Sequence, residues 1–242
     1  MSSPRERILA CACDLYLRDG LDGLSMRKLA REVGVTAPAL YRHYESKEHV
    51  LADLVREAYR EFTGYLYRAL EGQTPAERFF RAGEGYLDFA LKHPRWYQIL
   101  FTRADVMGME ELPEDLVAQG CAIHQFWVDR VRECMDAGLL KEGDPVLMSL
   151  TMWAHAHGML ALYHHGHFSF DEETFRRLFE ESGARMMSGI ATEDFAQELR
   201  CFLPAGELKI PLPIGGGSPA REEGMATRMA GDGMVSERMT TG

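Results

Sequence analysis

The sequence predicts an all-α protein, and three observations carry that prediction. Apolar residues recur at three- and four-residue spacing along most of the chain. Segment after segment opens on Ser, Thr or Pro and closes near a Gly or before a Pro, and no pair of alternating apolar–polar runs offers a hairpin. With 46% hydrophobic and 10% aromatic residues among 242, the chain can bury a sizeable core.

The elements follow in order. Ile8, Cys11, Ala12, Leu15 and Tyr16 share one helical face, and Gly20 stands where a C-cap would. Ser25 can cap a short helix, MRKLAREV, that Gly34 ends. Thr36 can cap another, APALYRHY, with Pro38 in the first turn, where a missing N–H costs little. Ser46 opens a long pattern running from Val50 through Phe62 to Ala69, which stops at Gly72. Thr74-Pro75 starts the next, which ends before Pro94. Later helical stretches run from about 95 to 102, 113 to 137, 144 to 164, 171 to 190 and 193 to 202. After Pro204 the chain turns rich in Gly, Pro, Ser and Thr without an apolar face, the composition of a disordered tail over 204–242.

Charge divides the chain unevenly. The net charge is -10, which argues against a protein that coats nucleic acid or anionic membrane over its whole surface. Residues 1–47 hold eight Lys/Arg against six Asp/Glu, a balance of +2, so the rest carries -12. The cysteines (Cys11, Cys13, Cys121, Cys134, Cys201) are odd in number and form no CxxC pair, the usage of a reducing compartment. The N-terminus lacks the apolar run of a signal peptide and no segment is apolar enough to span a bilayer, so a cytoplasmic protein with no membrane partner is expected.

The most informative region is LSMRKLAREVGVTAPALYRHYESKEHVL, residues 24–51. Two short helices around Gly34-Val35 make a helix-turn-helix unit, with Leu29, Ala30, Val33, Val35, Leu40 and Tyr44 available to hold it together. The other side offers Thr36, Pro38, Ala39, Arg42 and His43 to a groove. Small residues suit close approach to bases, and basic or polar ones suit phosphates. Lys47 stands in the first turn of the next helix, whose N–H groups also attract phosphate. A solvated helical hairpin with incidental charges is the bland alternative.

Residues 5–51 resemble the DNA-binding domain of the TetR family of bacterial transcriptional regulators. The resemblance is carried by RERILACACDLYLRDG, LDGLSMRKLAREVGV and above all TAPALYRHYESKEHVL, with Leu40-Tyr41-Arg42-His43-Tyr44 followed by Lys47-Glu48 and Leu51. Family members more often have Phe where this chain has Tyr44. The resemblance implies that Arg27, Thr36, Ala37, Pro38, Ala39 and Arg42 face bases or nearby backbone. It implies that Tyr41, His43 and Lys47 touch phosphates, and that Ser25 caps the first helix of the motif and reaches phosphate too.

More loosely, Trp153, His157 and Gly158 in WAHAHG, with HPRWYQILF upstream, resemble one type of TetR regulatory domain marked by a Trp-His-Gly signature. That implies an effector-binding and dimerising bundle over residues 48–203, behind a DNA-binding domain over 1–47. Two late helices from each subunit, about 144–164 and 171–190, would form the dimer interface. Trp153, Phe175, Phe179 and Met186 are its candidate residues, with core packing an equal alternative. Effector contacts are sought first at Phe62, Tyr86, His124, Trp127 and His157, and also at Tyr65, Phe89, Trp96 and Tyr97. Aromatic stripes at this spacing equally serve a plain core.

Five of the nine histidines crowd into residues 153–168, which raises a metal site. A helix turns about 100° per residue, so His155 and His157 point to nearly opposite sides, and no two histidines have the i, i+4 spacing of a chelating pair. No metal or cofactor is expected. Neither a GxSxG elbow nor a P-loop nor a dinucleotide fingerprint occurs, so a small helical enzyme is disfavoured. A redox sensor using Cys121, Cys134 or Cys201 stays open. The first two, thirteen residues apart on one helix, would lie about 20 Å apart, too far to pair within it. The expectation is a homodimeric repressor that binds a pseudo-palindromic double-stranded DNA operator. A small, largely apolar effector would release it.

Overall fold

Helices account for nearly all of the architecture, as capping and periodicity dictate. The structure, a computed structural model, describes residues 3–102, 104–168 and 170–202. The expected tail over 204–242 lies outside the described residues. In chain order the helices are α1 (Pro4–Gly23), α2 (Met26–Val33), α3 (Ala37–Tyr41), α4 (Lys47–Tyr67), α5 (Pro75–Lys92), α6 (Pro94–Leu100), α7 (Glu114–Asp136), α8 (Pro145–His164), α9 (Glu172–Ile190) and α10 (Glu193–Phe202). Among the described residues the one extended pairing is an isolated bridge between Leu140 and Ala191.

Local chemistry sets the boundaries. Ser3, Ser25, Thr36, Ser46, Thr74, Asp144 and Asp171 each accept a backbone N–H in the first turn of the helix they precede. Gly20, at φ 69°, breaks the regular course of α1, and a last turn continues to Gly23. Two expected elements are shorter. The helix expected over 37–44 stops at Tyr41, and the N–H groups of His43 and Tyr44 bond back to the Leu40 carbonyl at 2.9 and 3.0 Å in a closing turn. That turn swings Tyr44 inward, where its ring is 7% exposed. The long fourth helix ends at Tyr67 and tightens into a 3-10 turn, Arg68–Glu71.

Three apolar clusters organise the bundle. The first joins α1, α2, α3 and the N-terminal half of α4, and it also takes in Ile99, Met107, Met109 and Leu116 from later in the chain. The second gathers the C-terminal half of α4 (Phe62, Leu66) with α5, α6, α7, α8 and α9. The third sits where α5, α7, α9 and α10 meet, around Phe79, Val131, Met187 and Phe195. α4 and α5 approach closely because Gly85 has no side chain; a Cβ there would fall 2.7 Å from the Tyr65 carbonyl oxygen. No helix among the described residues is long and apolar enough to cross a membrane.

Candidate nucleic-acid interface and ligand cavity

α2, the turn and α3 form a motif with one buried and one open side. Gly34 ends α2 at φ 78°, a conformation that strains any side-chain-bearing residue, and the following Val35 N–H returns to the Ala30 carbonyl at 2.9 Å. Leu29, Ala30 and Leu40 are buried beneath the turn. Ser25 Oγ accepts from the Lys28 N–H and Thr36 Oγ1 from the Ala39 N–H, each at 3.3 Å. Ser25, Arg27, Thr36, Pro38, Tyr41, Arg42 and His43 are exposed. Arg27 and Arg42 form no ion pair among the described residues, so their guanidinium groups are available to an anion. Lys28, in contrast, is held by Asp19 at 2.7 Å.

Behind the motif, Asp53 on α4 ties three elements together. Its Oδ2 accepts from the Tyr44 hydroxyl at 2.8 Å and from Arg5 Nε on α1 at 3.1 Å, while Arg56 Nη1 reaches Oδ1 at 3.3 Å. Burial alone would raise this carboxyl, but the hydrogen bonds from Arg5 and Tyr44 outweigh it and hold the group below the ordinary carboxylate value.

The body holds an open cavity of about 710 Å³ between α5, α7, α8, α9 and α10. Its walls are apolar and aromatic, with Tyr86, Trp127, Trp153 and Phe179 among them. Behind Tyr86 lies a polar knot. Tyr97 and His157 Nδ1 are 2.7 Å apart, Tyr86 and the same nitrogen 3.3 Å, and the two hydroxyls 3.4 Å. Desolvation lowers the pKa of His157, so its ring is neutral at pH 7. Burial pushes the Tyr86 hydroxyl up to about 12, so it is a proton donor at any ordinary pH.

Two family models match this layout. Residues 8–54 match the one described as bacterial regulatory proteins, tetR family, and residues 79–186 match the tetracyclin repressor-like C-terminal domain. The chain belongs to the TetR family. The C-terminal match does not distinguish the Trp-His-Gly type, which rests on the sequence resemblance alone. Among curated relatives, the transcriptional repressor KstR2 of Mycolicibacterium smegmatis is 24% identical over 135 residues, covering 54% of this chain and 65% of that protein. The class D tetracycline repressor of Escherichia coli is 40% identical over 53 residues, 22% of this chain and 24% of that protein. The chain therefore spans less than two thirds of either. Among solved structures, a protein of unknown function from Rhodococcus sp. RHA1 superposes with a TM-score of 0.67 at 27% identity, covering 79% of this chain and 97% of that one. The ketosteroid transcriptional regulator KstR2 of Mycobacterium tuberculosis shares the fold at a TM-score of 0.62 and 17% identity, covering 80% and 97%.

Within this TetR-family bundle the expected site residues divide. Ala37 and Ala39 are half-buried, and Ala37 packs on the core of the motif. Lys47 stands at the start of α4, but its ammonium turns back to the Leu21 carbonyl at 3.5 Å. Arg31, one turn after Arg27 on the same face of α2, is exposed as well. Of the expected effector contacts, Tyr86 and Trp127 line the cavity. Phe62 is 2% exposed and packs against Tyr86 and Phe89 instead. His124 faces Ser149 Oγ at 3.4 Å, and Ser149 rather than His124 lines the cavity. His157 sits behind the wall through Tyr97.

Of the expected dimer residues, Phe175 needs correction. Phe175 is fully buried within the protomer and stacks on Tyr163 at 4.1 Å between centroids, so it has no surface to offer a partner. Phe179 and Met186 are half-buried and line the cavity, as does Trp153, which is also 42% exposed. Helical spacing could not separate these faces, because core, cavity and outer surface are all apolar here. The crowded histidines scatter as well. His155 lines the cavity, His164 lies 5.2 Å from the Tyr97 ring, and His165 meets the Ala161 carbonyl.

Proposed function

We propose that this chain is a ligand-responsive, sequence-specific DNA-binding regulator that works as a homodimer on a pseudo-palindromic operator, as a repressor that a small, largely apolar effector releases. The observation that carries the reading is the open side of the α2–turn–α3 motif. It sets the unpaired Arg27 and Arg42 beside Thr36, Pro38, Ala39, Tyr41 and His43 on a rigid, fully packed support. Residues 1–47 act as the reading head and 48–203 as the effector-binding and dimerising body. Relatives named as transcriptional repressors, KstR2 of Mycolicibacterium smegmatis and the class D tetracycline repressor, support the reading. The protein works in the cytoplasm, where its operator is.

Dimerisation uses the outer face of α8. That helix is apolar nearly all round yet buries only Ser149 and Leu160 within the protomer. Val146, Leu147, Leu150 and Leu162 are 41, 65, 39 and 43% exposed, a surface that a second copy would cover. The Cys-based alternative is not favoured. Cys134 is buried and its thiol is pushed up to about 12, mainly by desolvation, so it carries almost no thiolate.

Coupling runs along α4 and α6. α4 starts in the reading head and ends beside the cavity, while α6 carries Tyr97 on the cavity side and Arg95 beside Asp14 of α1. An effector that displaced Tyr86 from the cavity wall would act through its contact with Tyr97, move α6 against the head and favour a spacing of the two heads with low DNA affinity. Footprinting on the chain's own upstream DNA tests the proposal. Arg42→Ala is expected to weaken binding at the protected site by about 1–3 kcal/mol, as for a lost specific contact. Absence of any protected site, or unchanged affinity of the variant, would refute it.

A further inference from the structure

The chemistry of the cavity's mouth narrows the effector. Three carboxylates from three helices line the cavity where it meets solvent: Glu84 on α5, Glu180 on α9 and Glu198 on α10. All three are exposed, and none forms an ion pair among the described residues. A fourth, Glu77, is held at the start of α5, where it accepts the Gln73 N–H at 2.7 Å. Among the described residues Arg81 is the one cation that lines the cavity; it is 47% exposed and lies 3.9 Å from Glu71. His155 adds no charge, because desolvation lowers its pKa and keeps the ring neutral. The remaining wall is largely apolar, with the rings of Phe79, Phe80, Tyr86, Trp127, Trp153 and Phe195 set among Met, Leu, Val and Ala side chains. Ring faces attract a cation, and carboxylates at the opening concentrate one from solution. An anion entering the same opening would meet negative charge in a body, residues 48–203, that carries -11.

We infer that the effector is a lipophilic organic cation, an aromatic or alicyclic amine or onium ion, whose apolar body fills the aromatic cavity while its charge rests at the Glu84–Glu180–Glu198 mouth. This rests on the proposed regulator function and names the ligand class for it. The volume admits a molecule of drug size with one charge to spare at the rim.

A pair of ions with the same shape and opposite charge tests the inference. Tetraphenylphosphonium and tetraphenylborate are titrated into the full chain without DNA, by calorimetry and by quenching of Trp127 and Trp153. The phosphonium is expected to bind at least about tenfold more tightly than the borate, as for a charge-assisted contact in a partly desolvated site. The triple variant E84Q/E180Q/E198Q should reduce that preference by about tenfold, while E142Q/E173Q, at exposed positions away from the mouth, should leave it intact. Equal or tighter binding of the borate, no binding of either ion, or an unchanged preference in the triple variant would overturn the inference. Footprinting of the same preparation keeps the two readings apart. A protein that protects DNA but prefers the borate remains a regulator with another ligand class. One that prefers the phosphonium but protects no DNA keeps the cavity chemistry and loses the regulatory function.

Discussion

Asp53→Ala should loosen the reading head without touching its surface. The carboxylate is 17% exposed, and in the variant the Tyr44 hydroxyl, on a residue 7% exposed, has no acceptor. A buried hydroxyl left unpaired costs about 1–3 kcal/mol. The Arg5 contact adds less, about 1 kcal/mol at most, because that side chain is 46% exposed and its charge is screened. Arg56 keeps its bidentate partner Asp115, at 2.7 and 3.0 Å, and adds little. The expected loss is therefore about 2–3 kcal/mol, or roughly 5–10 °C in Tm for a chain of this size. Tyr44→Phe alone should cost about 1 kcal/mol, and in the double variant the two losses should fall short of additivity by about the same amount. Urea and thermal unfolding of the four proteins measures the cycle.

The acid limb gives an independent arm. Asp53 titrates below the ordinary carboxylate value, so its contribution is fully present above that value and is lost as the pH falls through the folded-state one. The gap between wild type and Asp53→Ala should narrow on acidification below about 4. Strict additivity of the two substitutions, or a gap that widens in acid, would show that Asp53 does not anchor Tyr44.

Two further outcomes follow. Gly108 sits at φ +72°, where a Cβ would fall 2.5 Å from the mobile end of Leu21, so Gly108→Ala should cost about 1–2 kcal/mol from the left-handed backbone, read as a lowered Tm. Thiol titration of the native protein near pH 8 should modify the exposed Cys121 quickly and spare Cys134 until denaturant is added; early modification of Cys134 would revive a redox role.

Much of the fold was legible because its signals are local. Caps at Ser25, Thr36, Ser46 and Thr74 and the breaks at Gly20 and Gly34 act within four residues, so the sequence states them directly. The end of α3 was misjudged because what stops it is remote: Tyr44 leaves the helix to reach Asp53 and the core. The reading head was legible for the same reason as the fold, since its exposed and buried faces alternate within one short motif. The cavity was not. Its wall combines residues from five helices, and nothing in the periodicity of α9 distinguishes Phe175, sealed against Tyr163, from Phe179, one turn later and open to the cavity. Glu84, Glu180 and Glu198 read in sequence as ordinary solvated positions; only the fold gathers them at one opening.

The two halves of the protein share structure in a way that makes coupling economical. The head's core does not close on itself, because Ile99, Met107, Met109 and Leu116 complete it from the body. Ile99 and Tyr97 belong to the same seven-residue helix, the first packed with the head and the second bonded to His157 beside the cavity. A helix of that length spans about 10 Å and moves as a rigid body. Displacement of Tyr97 therefore cannot be absorbed locally; it is passed to Ile99 and to the Arg95–Asp14 contact on α1. α4 adds a second rigid link, from the Asp53 anchor to Phe62 under the cavity floor. A ligand needs only to prefer one position of these two helices to change how the heads meet DNA, and a difference of a few kcal/mol between positions is enough to switch occupancy.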